Sequence, residues 1–171
     1  MTLLLEQINI VEGFPAVDLQ TGANTGDWVS LENYKRIAVC FVSGVGTAGD
    51  DPTLTILQAT DVAGTGSKAL NVVTTQAFKK QAATSLASTG AWSSASADAS
   101  THTLTTATAA EQSCLWVAEF SADQLDVDNG FCCVSATVAD IGNNAQPGYL
   151  FYILGEPRYP AGATSMLSAI A

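Results

Sequence analysis

Apolar residues gather along this chain in short runs separated by Gly, Pro, Asn and Asp, rather than recurring every three to four positions over long windows. Residues 34–42 are an apolar, β-branched and aromatic run with Lys35 and Arg36 at its entrance, the pattern of a strand buried on both faces. In residues 53–61, Leu54 and Ile56 fall on one face and Thr53 and Thr55 on the other, a period of two. Between the runs lie Gly44, Gly46, Gly49 and Pro52. Strand, glycine-rich turn and strand predict a β-hairpin over 34–61.

The rest of the chain continues in the same style. Ile8 and Ile10 give the first residues some alternation, so residues 1–14 are a short strand or an N-terminal arm. Residues 21–27 are a turn-rich loop, 28–31 resume strand character, and Glu32 and Asn33 make a turn. Residues 62–68 form a second glycine-rich loop. Residues 69–75 read as a strand, and 76–84 as a short helix or a continuation of it. From 82 to 110 the composition shifts to Ala, Ser and Thr. This predicts a long surface excursion with weak strand character near His102, of a kind that is usually functional or disordered. Residues 114–120, 131–138 and 149–154 are further strands. Residues 121–125 resemble one helical turn capped by Ser121, and 126–130 and 140–148 are loops. About eight strands with little helix suit an all-β fold, an antiparallel β-sandwich of jelly-roll-like type, rather than alternating βα units. The whole chain, 1–171, is expected to be one such domain.

Composition narrows the function classes. The 171 residues are 47% hydrophobic and only 13% charged, which excludes a disordered chain. Six basic against sixteen acidic residues give a net charge of −10. Too few cations are present to neutralise a nucleic-acid backbone, and the charge disfavours anionic membranes. The first residues have no cationic region before their short apolar run, so no signal peptide is expected, and no apolar run is long enough for a transmembrane helix. Synthesis in a cytoplasm follows as the expectation. Cys40, Cys114, Cys132 and Cys133 lack C-x-x-C spacing, and the single histidine, His102, is remote from them in sequence. They read as buried free thiols rather than a zinc site. Adjacent on a strand, Cys132 and Cys133 should point to opposite faces.

Several chemical motifs fail on inspection. Residues 44–49 match G-x-G-x-x-G, but Asp50, Asp51 and Pro52 follow where a helix N-terminus should meet a diphosphate. The carboxylates would repel that ligand, so the segment is a plain loop. Lys68 does not follow a glycine in the frame of a P-loop. Residues 126–130 resemble half of a calcium loop, yet Thr137 stands where the distal acidic ligand belongs. His102 reads as a solvated loop residue, and no G-x-S-x-G elbow is present. Glu119, Asp123, Asp126, Asp128, Asp140 and Glu156 are the carboxylates from which a glycosidase pair would come, but most sit in turns, where Asp is favoured for backbone reasons. The expectation is no enzyme, no cofactor and no metal. A carbohydrate- or receptor-binding module would need an aromatic platform from Trp28, Trp92 or Trp116, of which Trp116, between Leu115 and Val117, is expected in the core.

Three patches together carry a family resemblance. They are residues 25–31 (Thr-Gly-Asp-Trp-Val-Ser-Leu) leading to Tyr34, Lys35 and Arg36; residues 51–64, from Asp-Pro-Thr-Leu-Thr-Ile-Leu to Val-Ala-Gly; and residues 148–159, Gly-Tyr-Leu-Phe-Tyr-Ile-Leu-Gly-Glu-Pro-Arg-Tyr. In this layout the chain resembles cement or decoration proteins from tailed-bacteriophage head gene clusters, of β-sandwich, jelly-roll type. The resemblance implies a non-enzymatic virion protein on the outer capsid surface, partnered by the major capsid protein and assembled as a homo-oligomer, a trimer before a dimer. Tail or connector proteins are a variant of the same class. The arm (Leu3, Leu4 and Leu5), Trp92, and Arg158 with Tyr159 just past the last strand are the candidate partner contacts, since aromatic residues and Arg are enriched at interfaces. The small-residue tail, 163–171, is a second possible extension.

Overall fold

In a computed structural model, the structure describes residues 3–71, 77–82, 89–94, 101–103, 113–159 and 169–170. Most of the tail, much of the 82–110 excursion, residues 72–75 of the strand expected at 69–75 and residues 76, 83 and 84 of the segment after it lie outside this set.

Among the described residues, twelve strands run antiparallel in two sheets: β1 (Ile8–Asp18), β2 (Asn24–Thr25), β3 (Val29–Ser30), β4 (Tyr34–Ser43), β5 (Thr53–Ala59), β6 (Lys68–Ala69), β7 (Ala77–Ala82), β8 (Thr89–Ser94), β9 (Thr101–Thr103), β10 (Cys114–Ser121), β11 (Cys133–Val138) and β12 (Pro147–Pro157). The first sheet has the order β1-β12-β4-β10-β7-β8. The second has β2-β11-β5-β6, with β3 also on β11 and β9 also on β5. The pairs β1·β12, β2 and β3 with β11, β4·β10 and β5·β6 are nested along the sequence. One long hairpin wrapped into two facing sheets is the jelly-roll arrangement. The expected sandwich is therefore present, with more strand segments than the sequence pattern separates. The extra ones come from edges broken into short pieces (β2 with β3, β6 with β9) and from the β7–β8 pair, which lengthens the first sheet.

The core lies between the sheets. Ile37, Val39 and Phe41 of β4, Trp116, Ala118 and Phe120 of β10, and Leu150, Tyr152 and Leu154 of β12 face Leu54 and Ile56 of β5 and Val134, Ala136 and Val138 of β11. Period-two alternation is what sends these positions inward.

The expected hairpin over 34–61 is not formed. β4 pairs with β12 and β10, while β5 pairs with β11, β6 and β9. Both strands bring apolar faces to the same core from opposite sides, so residues 44–52 cross from one sheet to the other. This explains the first two glycines of the failed dinucleotide motif. Gly44 N–H donates to the Pro147 carbonyl at 2.7 Å, and a Cβ on Gly44 would lie 2.5 Å from the Pro147 ring. Gln146 Nε2 donates to the Gly44 carbonyl at 2.9 Å, and a Cβ on Gly46 would strike the Gln146 amide. Asp50 Oδ2 accepts from the backbone N–H and side-chain amide of Asn144. The segment closes one end of the sandwich.

Other local expectations also shift. From Ile8 onward the expected arm belongs to β1, so only Leu3–Gln7 stand outside the sheet among the described residues. The ambiguous segment after residue 76 is strand β7. Residues 101–103, within the stretch of weak strand character, form β9 against β5. Ser121 occupies the N-cap of the 3-10 turn Ala122–Gln124, but its side chain makes no capping hydrogen bond. Cys132 and Cys133 do not diverge: their sulfurs are 3.7 Å apart. Cys132 precedes β11, in the irregular stretch leading into it, where strand alternation does not apply.

Gly26 seals the core near β11. Its N–H donates to the Ala136 carbonyl at 2.9 Å, and its own carbonyl accepts from Ser135 Oγ at 2.7 Å. A Cβ there would lie 2.5 Å from both Leu150 Cδ2 and Tyr152 Oη. Gly26→Ala should therefore destabilise by about 1–3 kcal/mol through overpacking. Phe41→Ala should cost about 3–5 kcal/mol through the cavity it leaves. Urea denaturation of both variants checks the two values. A third expectation concerns Asp126, which accepts a charge-assisted hydrogen bond from Lys68 Nζ while that ammonium lies 4.1 Å from the Phe131 ring centroid. The Lys68 bond, and after it the Asn129 amide, hold the Asp126 carboxyl below the usual carboxylate range. Its stabilising effect is present above the unfolded value and lost as pH falls through the folded one. Lys68→Met should move the Asp126 titration upward, read by carboxyl-carbon NMR.

Candidate functional site

The residues of the first sheet that do not enter the core define the site. Alternation leaves Ala38, Cys40 and Val42 of β4, Leu115, Val117 and Glu119 of β10, and Tyr149, Phe151 and Ile153 of β12 on the opposite face. Strand register arranges them in rows. Ile10, Ile153, Ala38 and Glu119 lie across one row. Phe151, Cys40, Val117 and Phe78 form the next, and Tyr149, Val42 and Leu115 the third, continuing through Lys80 to the register position of Trp92. Tyr149 and Phe151 stack on this face with ring centroids 5.6 Å apart.

This face is apolar without being core. Ala38, Val42, Leu115, Val117, Phe151 and Ile153 are half-buried, Cys40 is buried, and Ile10 and Trp92 are 54% and 51% exposed. The expectation that residues 34–42 are buried on both faces is thus corrected. One face meets the core, and the other is shielded only in part, chiefly by its strand neighbours. Ala38, Cys40, Phe78, Trp92, Leu115, Val117, Phe151 and Ile153, with Glu119 at one end, line a shallow groove of about 490 Å³. At that end Arg36 bridges Glu119 at 3.2 Å and Glu156 at 3.6 Å, with all three side chains about half exposed. Such surface pairs contribute roughly 0–1 kcal/mol, so they mark a polar rim more than they stabilise the fold.

The candidate contacts fall at different places. Trp92 lies on the groove. Leu3, Leu4 and Leu5 are exposed in and beside the 3-10 turn before β1. Arg158 and Tyr159 are exposed just past β12, and Arg158 N–H donates to the Asn33 carbonyl at 2.9 Å. Because Ile8 is paired with Gly155, the leucines and the Arg158–Tyr159 pair leave the same end of the sheet, away from the row of Trp92. The sequence reading missed the central part of the face: Val117, Phe151, Ile153 and Ala38. Their signal is present in the sequence, since each belongs to a strand apolar at both odd and even positions, the pattern that over residues 34–42 reads as two-sided burial.

Glu119 and Glu156 share the single Arg36 guanidinium. Asp126 is engaged by Lys68, and Asp140 Oδ1 accepts from the Gly142 N–H. Among the described residues there is no cluster of three or more His, Cys, Asp or Glu able to hold a metal ion. His102 is placed in β9 opposite Leu54 rather than in a loop. Of the three tryptophans, Trp116 is fully buried as expected, and the Trp28 ring lies against Gly64, leaving Trp92 the exposed one.

No protein-family model matches the chain, and no curated protein matches it by sequence. Among solved structures it is similar to the SPBc2 prophage-derived protein YomS, at 9% identity and a TM-score of 0.42, covering 87% of this chain and 93% of that one. It is also similar to a structure of infectious bursal disease virus, Gt strain, at 10% identity and a TM-score of 0.27. A third likeness is to the VP2 subviral particle of the same virus, at 11% identity and a TM-score of 0.23. The chain covers only 44% of each of those two chains. At such identities and TM-scores these likenesses carry no function over.

Within the groove, burial, and after it the Glu119 carboxylate, push the Cys40 thiol up to about 12. The thiolate is the reactive form, so Cys40 should stay unmodified by iodoacetamide at pH 8 in the native protein and react fully once unfolded. Peptide mapping by mass spectrometry checks this.

Proposed function

We propose that this chain is a non-enzymatic structural virion protein that binds the outer capsid surface and stabilises the head, in the manner of a cement or decoration protein. The observation that carries the reading is the outward face of the first sheet. Val117, Phe151, Ile153 and Ala38 form one apolar surface with Ile10 and Trp92, rimmed by Arg36, Glu119 and Glu156. An extended apolar patch with a polar rim is the signature of a protein-docking surface. The face is built on paired strands rather than on loops, so it is rigid before binding and loses little entropy on contact. A net charge of −10 favours a basic patch on the partner and opposes non-specific clumping.

The partner in this reading is the major capsid protein, with copies of the chain joined as a homo-oligomer. Leu3, Leu4 and Leu5 at one end of the sheet supply further apolar contact outside the sandwich. The family resemblance of residues 25–36, 51–64 and 148–159 supports the same assignment.

Co-sedimentation with expanded procapsids tests it, with the mass of the free protein measured by light scattering. The wild type should form a discrete oligomer and pellet with capsids. Val117→Lys and Phe151→Lys should each reduce pelleting at least tenfold while keeping a native circular-dichroism spectrum, because both side chains point away from the core. A monomeric wild type that stays in the supernatant at all capsid concentrations overturns the reading.

A further inference from the structure

The second sheet carries a feature that the docking role does not use. Cys132 and Cys133 are neighbours in sequence, their sulfurs are 3.7 Å apart, and both thiols are free. Cys132 is half-buried and donates its S–H to the Thr60 carbonyl at 3.3 Å. It lines two surface clefts, one with Leu31, Leu125 and Phe131, the other with Ser30, Glu32, Asp61 and Cys133 itself. Cys133 is buried behind it, 1% exposed. One thiol is open to small solutes, and its partner waits at near contact distance.

We propose that Cys132 and Cys133 form a modification site, a vicinal dithiol that hydroperoxides oxidise to an intramolecular disulfide. Cys132 gives up its S–H proton to solvent, where it later joins the released hydroxide as water, and its sulfur attacks one peroxide oxygen. The O–O bond breaks, leaving a sulfenic acid on Cys132 and releasing hydroxide, or an alkoxide from an organic peroxide. The Cys133 sulfur then attacks the Cys132 sulfur. The S–O bond breaks, and the departing hydroxide takes the Cys133 proton as water. With hydrogen peroxide, two thiols and one oxidant become one disulfide and two waters. Burial, and after it the neighbouring Cys132, push the Cys133 thiol up to about 12. With Cys133 1% exposed and Cys132 half-buried, accessibility assigns the first step to the Cys132 sulfur.

Closing the bond brings the sulfurs to about 2.05 Å. The two Cα atoms are only about 3.8 Å apart across one peptide bond, less than the usual span of a disulfide. Ring closure therefore twists that peptide. Its carbonyl, on Cys132, accepts from Leu31 N–H at 2.8 Å, and Cys132 N–H donates to the Ala59 carbonyl at 3.1 Å. Cys133 is in register with Ser30, whose N–H donates to the carbonyl of the buried Ala169. Oxidation thus loosens β3 against β11 and the anchor of residue 169.

The test is treatment of the intact purified protein with hydrogen peroxide, followed by non-reducing digestion and mass spectrometry. The peptide containing both cysteines should lose two hydrogens in mass, regain them with dithiothreitol, and form no covalent dimer. Amide exchange at Leu31 should rise at least tenfold in the oxidised form. Cys133→Ser should trap the Cys132 sulfenic acid as a dimedone adduct. Over-oxidation of Cys132 to sulfinic acid, a covalent dimer, or an unchanged dithiol at complete consumption of peroxide overturns the proposal in the wild type, whether or not the variant folds.

Discussion

Strand β4 is held on both edges along nearly its whole length, by Gly148–Gly155 of β12 on one side and Cys114–Ser121 of β10 on the other. A strand so placed has its backbone committed to the sheet, and side chains are all it offers to either face. Ile37, Val39 and Phe41 go to the core; Ala38, Cys40 and Val42 go outward. The antiparallel register then fixes what stands beside each of them, since direct cross-strand neighbours are a few ångströms apart. Core and candidate docking surface are two sides of one constraint. A change in register would exchange them.

Much of this was legible in the sequence. The strands at 114–120, 131–138 and 149–154 show in their apolar runs, and the turns between them in Gly, Asn, Asp and Pro. The all-β sandwich class is legible in the strand number and the turn residues between strands, whereas the jelly-roll type rests only on what a sandwich of about eight strands and this length most often is. Strand partners did not follow, because alternation marks which residues are inward without saying which sheet is inward-facing. β4 and β5 have patterns that fit one hairpin equally well as two opposed sheets. What separates the cases is long-range: Pro147 against Gly44 and Gln146 against Gly46, contacts about a hundred residues apart in sequence.

The same limit shaped the site. An apolar run buried on two faces and a run buried on one face with a docking surface on the other have the same composition. Only the placement of neighbouring layers tells them apart. For the cysteines, the rule of opposite faces is sound inside a strand, and it failed because β11 begins at Cys133 rather than before it. The G-x-G-x-x-G at 44–49 is a local matter, since the two carboxylates and the proline that follow it contradict the phosphate chemistry it would serve, whatever the fold around it.

The β1 edge of the first sheet carries Glu12 and Pro15, both exposed, and two breaks in register with β12. Pro15 has no N–H to offer, and the breaks bend the strand away from a straight template. Sheet extension by strand addition is blocked at that border. Growth by adding strands is open-ended, whereas contact through a broad face around a rotation axis closes on itself. The spoiled β1 edge thereby works against one open-ended route by which copies of the chain would add to one another as fibres.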